Sequence, residues 1–467
     1  MLFDLEKFGS SIAIEEEGRS ISYKELYDLS LAVAANIPER SLCFIMSSNT
    51  AASIAGYVGM INSRTVPVLC DRALHEDLKR DLVSSYGPAY IWQPEDDIQY
   101  DGYEKVFSTE GYDLFRASDL KPCELYDELA LLITTSGSTG SPKFVRQSYT
   151  NLRSNTESIV EYLGITSGER AITSLPMNYV YGLSVINTHL YAGATLVLTS
   201  LNCYSPRFWK VFNEKKATSF AGVPFMYEVI KKLKVMQKIE MPTLRTMTQA
   251  GGKLNPDIQK EFSELAMEKG FKFVVMYGAS EATARMGYLP SEDAVSRYGS
   301  MGIAIPGGRF EIVDDDGAVI LEPDRAGELV YYGDNVTLGY AECREDLGKG
   351  DENKGRLLTG DIARRDSDGY YYIVGRKKRF IKVVGKRVNL DEVERMLKKE
   401  FATSDIACAG KDDGLLIYLV DEGIRKEVED LVFEKIGISR GLYKTVIIPE
   451  IPKNPSGKIL YSELPVV

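Results

Sequence analysis

The segment TTSGSTGSPK, residues 134–143, runs through small, hydroxylated and glycine residues to a single Lys143. Small residues let successive backbone N–H groups turn inward as an anion nest. Hydroxyls add donors, and the lysine adds a point charge for phosphate oxygens. The apolar run Ala130-Leu131-Leu132-Ile133 leads directly into it, which a flexible Gly/Ser linker, the alternative reading, seldom has. The order G-x-x-x-x-G-K-[ST] is missing, so this is not a Walker A loop. A second candidate is MYGASEA, residues 276–282. There Tyr277 offers a flat face to a heterocycle, Ser280 a donor to phosphate, and Glu281 an oxygen to a hard cation such as Mg²⁺. By residue type alone a Glu after a strand is usually only a helix-start residue. In LLTGD, residues 357–361, Asp361 follows a turn with two acceptor oxygens suited to paired sugar hydroxyls, or is simply a turn residue. Near the end, NPSGK, residues 454–458, presents Lys458 from a turn-rich loop; a solvated tail is the alternative.

These loops need a scaffold. Apolar or β-branched runs at 65–69, 129–134, 171–175, 195–199, 218–221, 246–248 and 271–276 read as strands. Helical patterns at 151–163, 206–216, 225–234 and 256–269 lie between several of them, which implies parallel sheets covered by helices. After about residue 299 the texture turns to hairpins, one across DDDG at 314–317 and one across Ser367-Asp368-Gly369. DDDG is not a calcium loop, because Ile312 and Pro323 fall at the first and twelfth ligand positions of an EF-hand. Beyond Gly375 come a basic run RKKR, a strand-like FIKVVGKRVN, a helix over 390–400, a strand over 415–420 and a further helix. The expected fold class is α/β. A large N-terminal domain, 1–376, holds parallel-rich sheets and a small β-rich subdomain; a small mobile α+β lobe, 377–467, follows.

Composition narrows the chemistry. Lys plus Arg total 56 against 67 Asp plus Glu, a net charge of -11, which disfavours broad nucleic-acid or anionic-membrane binding. No apolar run reaches the ~18 residues of a spanning helix; residues 181–199 come nearest and are interrupted by Asn187 and His189. The opening MLFDLEKFGS shows no targeting pattern, so a cytoplasmic protein is expected. Six scattered cysteines without a CxxC pair read as reduced, mostly buried thiols. Two histidines, His75 and His189, make neither a zinc site nor, without a GxSxG elbow, a hydrolase triad. His189 reads as a helix-packing residue and His75 as surface.

Taken in order, these motifs resemble the adenylate-forming superfamily of acyl-CoA synthetases, peptide-synthetase adenylation domains and luciferases. The resemblance runs from ISYKELYDLS, 21–30, through TSGSTGSPK, 135–143, and GRKKRFIKVVGKRVNLDEVE, 375–394, to NPSGKIL. It implies ATP-dependent adenylation of a carboxylic acid, then acyl transfer to a thiol: coenzyme A first, the phosphopantetheine of a discrete carrier protein as the alternative. A non-catalytic nucleotide-binding relative is a further alternative. Thr135, Ser136, Gly137, Ser138, Thr139, Gly140 and Lys143 would close over the β- and γ-phosphates of ATP. Gly251, Gly252 and Tyr277 would border adenine, and Ser280, where the family usually has Thr, would contact the α-phosphate. Glu281 would bind Mg²⁺, and Asp361, with Arg376 nearby, would hold the ribose hydroxyls. Lys458 would bridge the substrate carboxylate and the α-phosphate. Lys378 falls at the hinge position and Gly385 beside the thiol path. RKKR at the interlobe joint of an acidic chain is thus expected to serve hinge and nucleotide contacts rather than nucleic acid.

LPMNYVYGLSV, 175–185, aligns with the family's acyl-pocket motif. Gly182 stands where amino-acid-activating members usually place Asp, which disfavours an α-amino acid. Tyr179 stands where many acyl-CoA synthetases have His. Asn178, Tyr179, Gly182, Val223, Pro224 and Ala279 are the lining candidates, and their mixed character names no acyl class.

Overall fold

The computed structural model describes residues 2–120, 123–134, 143–383, 386–403, 405–411, 414–436, 440–454 and 457–465. The chain divides into two compact units, Met1–Arg309 with Tyr332–Leu357, and Phe310–Tyr331 with Leu358–Val467. Among the described residues no helix is long and apolar enough to cross a membrane.

In the first unit, a nine-stranded sheet sets Lys272–Tyr277, Thr246–Gln249, Ser219–Gly222, Arg170–Ile172, Thr195–Val197 and Ile12–Glu16 side by side. All of these neighbours pair in parallel. Such strands are covered by helices on their faces, so their apolar runs are nearly continuous. Parallel strands also bring their C-terminal turns to one edge, where ligands of α/β sheets bind. The turns carrying Val223, Gly251 and Tyr277 therefore lie next to one another. Helix Pro256–Lys269 has the boundaries its sequence announces: Asn255 Oδ1 accepts from Asp257 N at 2.8 Å, Pro256 opens the first turn, and Gly270 closes it at φ 75°.

An eight-stranded sheet holds the buried strand Leu129–Thr134 between Val66–Asp71, in parallel, and Phe144–Ser148, antiparallel. Thr134 pairs with Phe144, so residues 135–142, outside the described residues, connect two neighbouring strands. The edge hairpin Tyr103–Thr109/Tyr112–Ala117 was not expected: its outer strand is largely exposed and lacks the apolar run of a covered strand.

In the second unit, Arg309–Val313, Gly327–Tyr332, Arg356–Arg365 and Tyr371–Arg376 form a four-stranded sheet. Asp361, expected after a turn, lies within the strand Arg356–Arg365, where Gly360 bends the chain at φ 70°. FIKVVGKRVN is two strands rather than one, Phe380–Val383 and Lys386–Asn389. Their pairing of Ile381 with Val388 buries both side chains. Helix Leu390–Glu400 and the three strands Ile406–Lys411, Gly414–Leu419 and Tyr443–Ile447 complete the unit. The contact-defined unit spans both sides of the expected junction at 376–377, and Asn389 reaches back across it. Its Nδ2 donates to Val374 O at 2.7 Å, and a Cβ on Gly375 would lie 2.6 Å from the same nitrogen.

His189 sits on the helix Val180–Ala192 as a buried residue, and Nδ1 meets Val185 O at 2.8 Å. Burial lowers its pKa from 6.5 to about 4. Between those values the unfolded chain binds the proton and the native chain does not. Stability is therefore full above pH 6.5 and falls as pH drops toward 4, by about 3 kcal/mol at most. His189→Gln should flatten that portion of the urea-denaturation profile; an unchanged slope would contradict the assignment.

Candidate active site

Lys143, the first described residue after the 135–142 connection, is held by its neighbours across the sheet. Its Nζ lies 3.8 Å from the centre of the Tyr340 ring and 3.1 Å from Glu342 Oε1. The strand Gly339–Ala341 presents Tyr340 by pairing antiparallel with Phe144–Ser148, Tyr340 opposite Val145. On the other side, the Tyr340 hydroxyl donates to Glu281 Oε1 at 2.6 Å. Burial, then the bond to Glu281, pushes the Tyr340 phenol well above its ordinary value, so it stays a donor at neutral pH. The Glu281 carbonyl accepts from both the backbone N–H and the hydroxyl of Thr337 at 3.0 Å. Lys143, Tyr340 and Glu281 thus form one connected group.

That group rests on Arg146, a fully buried guanidinium. It donates to the carbonyls of Tyr340 and Leu338 at 3.0 Å, to those of Lys349 and Gly350, and to Glu352 Oε2 at 2.5 Å. Tyr340 and Arg146 join these candidates through their contacts, and the motif reading missed both. The available signal was a lone arginine in the otherwise buried strand FVRQS, since a buried charge demands partners.

Ser280 is buried and opens the short turn Ser280–Ala282, behind half-buried Tyr277 and Ala279. Gly278 lets this turn close: a Cβ there would lie 1.8 Å from the Ala284 carbonyl oxygen. Gly251, at φ 84°, approaches Tyr179 and Val223, whose atoms would stand 2.5 and 3.1 Å from an added Cβ, and Gly252 faces Pro224. Expected adenine-border and acyl-wall residues are therefore in contact. Tyr179 is the residue before the helix Val180–Ala192, preceded by half-buried Asn178. Gly182 has a structural reason of its own: a Cβ would meet the Pro176 carbonyl oxygen at 2.1 Å, so no side chain fits there.

In the second unit, Asp361 is buried and pairs across the strands with Arg376, Nε to Oδ1 3.2 Å. Lys377 is tied to Glu328 at 2.6 Å. Arg379 is tied to Asp391 at 2.6 Å and Glu394 at 3.2 Å, and it lies 3.7 Å from the centre of the Tyr461 ring. The RKKR run is thus largely engaged within its own unit. Lys458 is exposed; Asn454 Oδ1 accepts from Lys458 N at 2.9 Å, and Gly457 takes φ 79°. Thr135, Ser136, Gly137, Ser138, Thr139, Gly140 and Gly385 lie outside the described residues, as does the side chain of Lys378.

Among the described residues no group of three His, Cys, Asp or Glu could hold a metal. One half-buried carboxylate, Glu281, fits Mg²⁺ all the same, because that ion keeps waters and is completed by substrate phosphates.

The profile of the AMP-binding enzyme family matches residues 4–341, and the chain belongs to that adenylate-forming family. It is 26% identical over 376 residues to the 2-succinylbenzoate–CoA ligase of Listeria innocua, covering 77% of this chain and 76% of that one. It is 28% identical over 350 residues to the peroxisomal OPC-8:0-CoA ligase 1 of Arabidopsis thaliana, covering 72% and 64%. The match spans between 61% and 65% of the length of that protein and of its plant and firefly counterparts. The fold is also that of o-succinylbenzoate CoA synthetase from Bacillus subtilis, solved with an acyl-adenylate intermediate. There the TM-score is 0.79 at 22% identity over 99% of this chain and 98% of that one.

A hydrogen bond to a charged group contributes about 1.5–3 kcal/mol. Tyr340→Phe should therefore weaken Mg-ATP binding by about tenfold or more in calorimetry, with little change in melting temperature. Equal affinity would remove Tyr340 from the site.

Proposed function

We propose that this chain is an AMP-forming acid–thiol ligase that adenylates a carboxylic acid with ATP and passes the acyl group to coenzyme A. The carrying observation is the Lys143–Tyr340–Glu281 group beside the phosphate-loop segment. It couples a phosphate-binding cation to a carboxylate suited to Mg²⁺, inside a chain of the AMP-binding enzyme family. CoA ligases among the relatives support the acceptor. A cytoplasmic setting and a phosphopantetheinyl carrier as a second acceptor belong to the same proposal.

A carboxylate is a poor acyl donor because oxide leaves badly. Attack of its oxygen on the α-phosphorus of ATP forms acyl-AMP and expels pyrophosphate; a thiol then attacks the acyl carbonyl and expels AMP. The obstacle in the first step is an anion approaching a polyanion. Lys143 and the loop N–H groups would hold the terminal phosphates, Ser280 would donate to the α-phosphate, and Gly251, Gly252 and Tyr277 would border adenine. Glu281, oriented by Tyr340, would hold Mg²⁺, which supplies positive charge to the phosphates when bound. Asp361 and Arg376 would take the ribose, and Lys458 would bridge carboxylate and α-phosphate. Asn178, Tyr179, Val223, Pro224 and Ala279 would border the acid. The working joint would lie at 376–378, with Lys378 as pivot and Gly385 beside the thiol path, so that one lobe carries Lys458 in and then out.

Carboxylate-dependent ATP–pyrophosphate exchange across an acid panel tests the reading, followed by thioester formation with coenzyme A and then a holo-carrier. Lys458→Ala should slow exchange by on the order of 10²–10³ and leave thioester formation from presynthesised acyl-adenylate much less affected. Equal loss in both half-reactions would refute the assigned role.

A further inference from the structure

Between the helix Val180–Ala192 and the nine-stranded sheet lies a cavity of about 170 Å³, bordered by Tyr181, Ser184, His189, Thr248, Met276 and Arg285. That is room for a benzene ring and little more, since a cavity of ~150 Å³ accepts benzene. Its wall adjoins the candidate site, since the Tyr181 ring packs edge-on against Tyr179 with centres 6.3 Å apart. Tyr181 follows two residues after Tyr179, and Arg285 and Met276 flank the Ser280–Glu281 turn in sequence.

Its lining is not that of a dry apolar void. His189 Nδ1 is engaged by Val185 O at 2.8 Å, which leaves Nε2 as a bare acceptor; that nitrogen is buried and has no hydrogen-bond partner. Arg285 is 3% exposed, and among the described residues no carboxylate pairs with it. Its guanidinium touches the Ser184 hydroxyl at 3.1 Å, Met276 Sδ at 3.3 Å, the Tyr162 hydroxyl and the face of Tyr181 at 4.0 Å. Two hydroxyls, a thioether and a ring face supply no negative charge to a buried cation. The backbone at this residue is fixed separately: its N–H donates to Asn155 Oδ1, and its carbonyl accepts from Asn155 and Asn335. The side chain itself borders the cavity.

We propose that this cavity takes the body of the acid substrate and that Arg285 selects acids bearing a second anionic group, compact dicarboxylates of about ring size. The assignment rests on the acid–thiol ligase reading for the reacting carboxyl and on Arg285 alone for the other. An anion at the far end supplies the partner that the guanidinium lacks. The neutral imidazole of His189 then takes a donor, either water or a substrate hydroxyl.

Calorimetry on the full chain with α,β-methylene-ATP present compares adipate with hexanoate, and benzene-1,4-dicarboxylate with benzoate. At least one diacid should bind tenfold or more tightly than its monoacid partner. Monomethyl adipate, tested on the unaltered protein, should lose that gain. Arg285→Gln should erase the preference with unchanged ATP affinity, and Arg285→Lys should restore part of it. In pyrophosphate exchange, Arg285→Gln should raise KM for the diacid about tenfold and change kcat less than threefold. Equal affinity for monoacids and diacids, or a preference that survives Arg285→Gln, would overturn the assignment. So would loss of all acids together, which marks a packing role. If diacids bind as expected but no acid supports exchange, the ligase reading fails and the anion site stands.

Discussion

A single buried cation governs the geometry around Lys143, Tyr340 and Glu281 in the first unit. Arg146 has no exposed surface, and a guanidinium in that position is tolerable only with its donors satisfied. It satisfies them on the carbonyls of Leu338, Tyr340, Lys349 and Gly350 and on Glu352, nearly two hundred or more residues downstream. Those bonds hold the strand Gly339–Ala341 against Phe144–Ser148, and only that pairing places Tyr340 between Lys143 and Glu281. The charge network of the site follows from a backbone constraint rather than from the charges themselves.

The second unit uses an analogous device. Glu394, on the helix Leu390–Glu400, is a buried carboxylate that receives Arg379, Lys398 at 2.7 Å, the Cys408 N–H at 2.9 Å and the Tyr461 hydroxyl. Tyr461 lies three residues beyond Lys458, so this hub ties the segment bearing the lysine to its own lobe. The basic run supplies internal partners, Arg376 to Asp361, Lys377 to Glu328 and Arg379 to Glu394. Three of these four consecutive cations are thus paired with carboxylates inside their own unit.

Close backbone approach explains several glycines that would otherwise be read as ligand-facing. Gly182 and Gly278 abut carbonyl oxygens so tightly that any side chain would displace the turn. At position 182 the turn itself, not a ligand, demands glycine.

The amino-acid sequence by itself determined the local elements and the chemical inventory. The run Leu129–Thr134, the capped helix Pro256–Lys269 and the helix Leu390–Glu400 carry their own periodicity and end signals, so their bounds were legible. The Thr134–Lys143 motif, Glu281, Asp361 and Lys458 could be singled out as candidates because motif order survives in one dimension. Tertiary structure alone decided what these residues touch. Tyr340, Arg146 and Arg285 carry no motif, and their partners come from strands and turns scores to hundreds of residues away. The bend that keeps Asp361 inside a strand, and the reach of Asn389 back to Val374, likewise depend on pairing across elements. Local sequence encodes propensity, whereas the burial that makes an arginine seek carbonyls or an anion exists only once the sheets have closed around it.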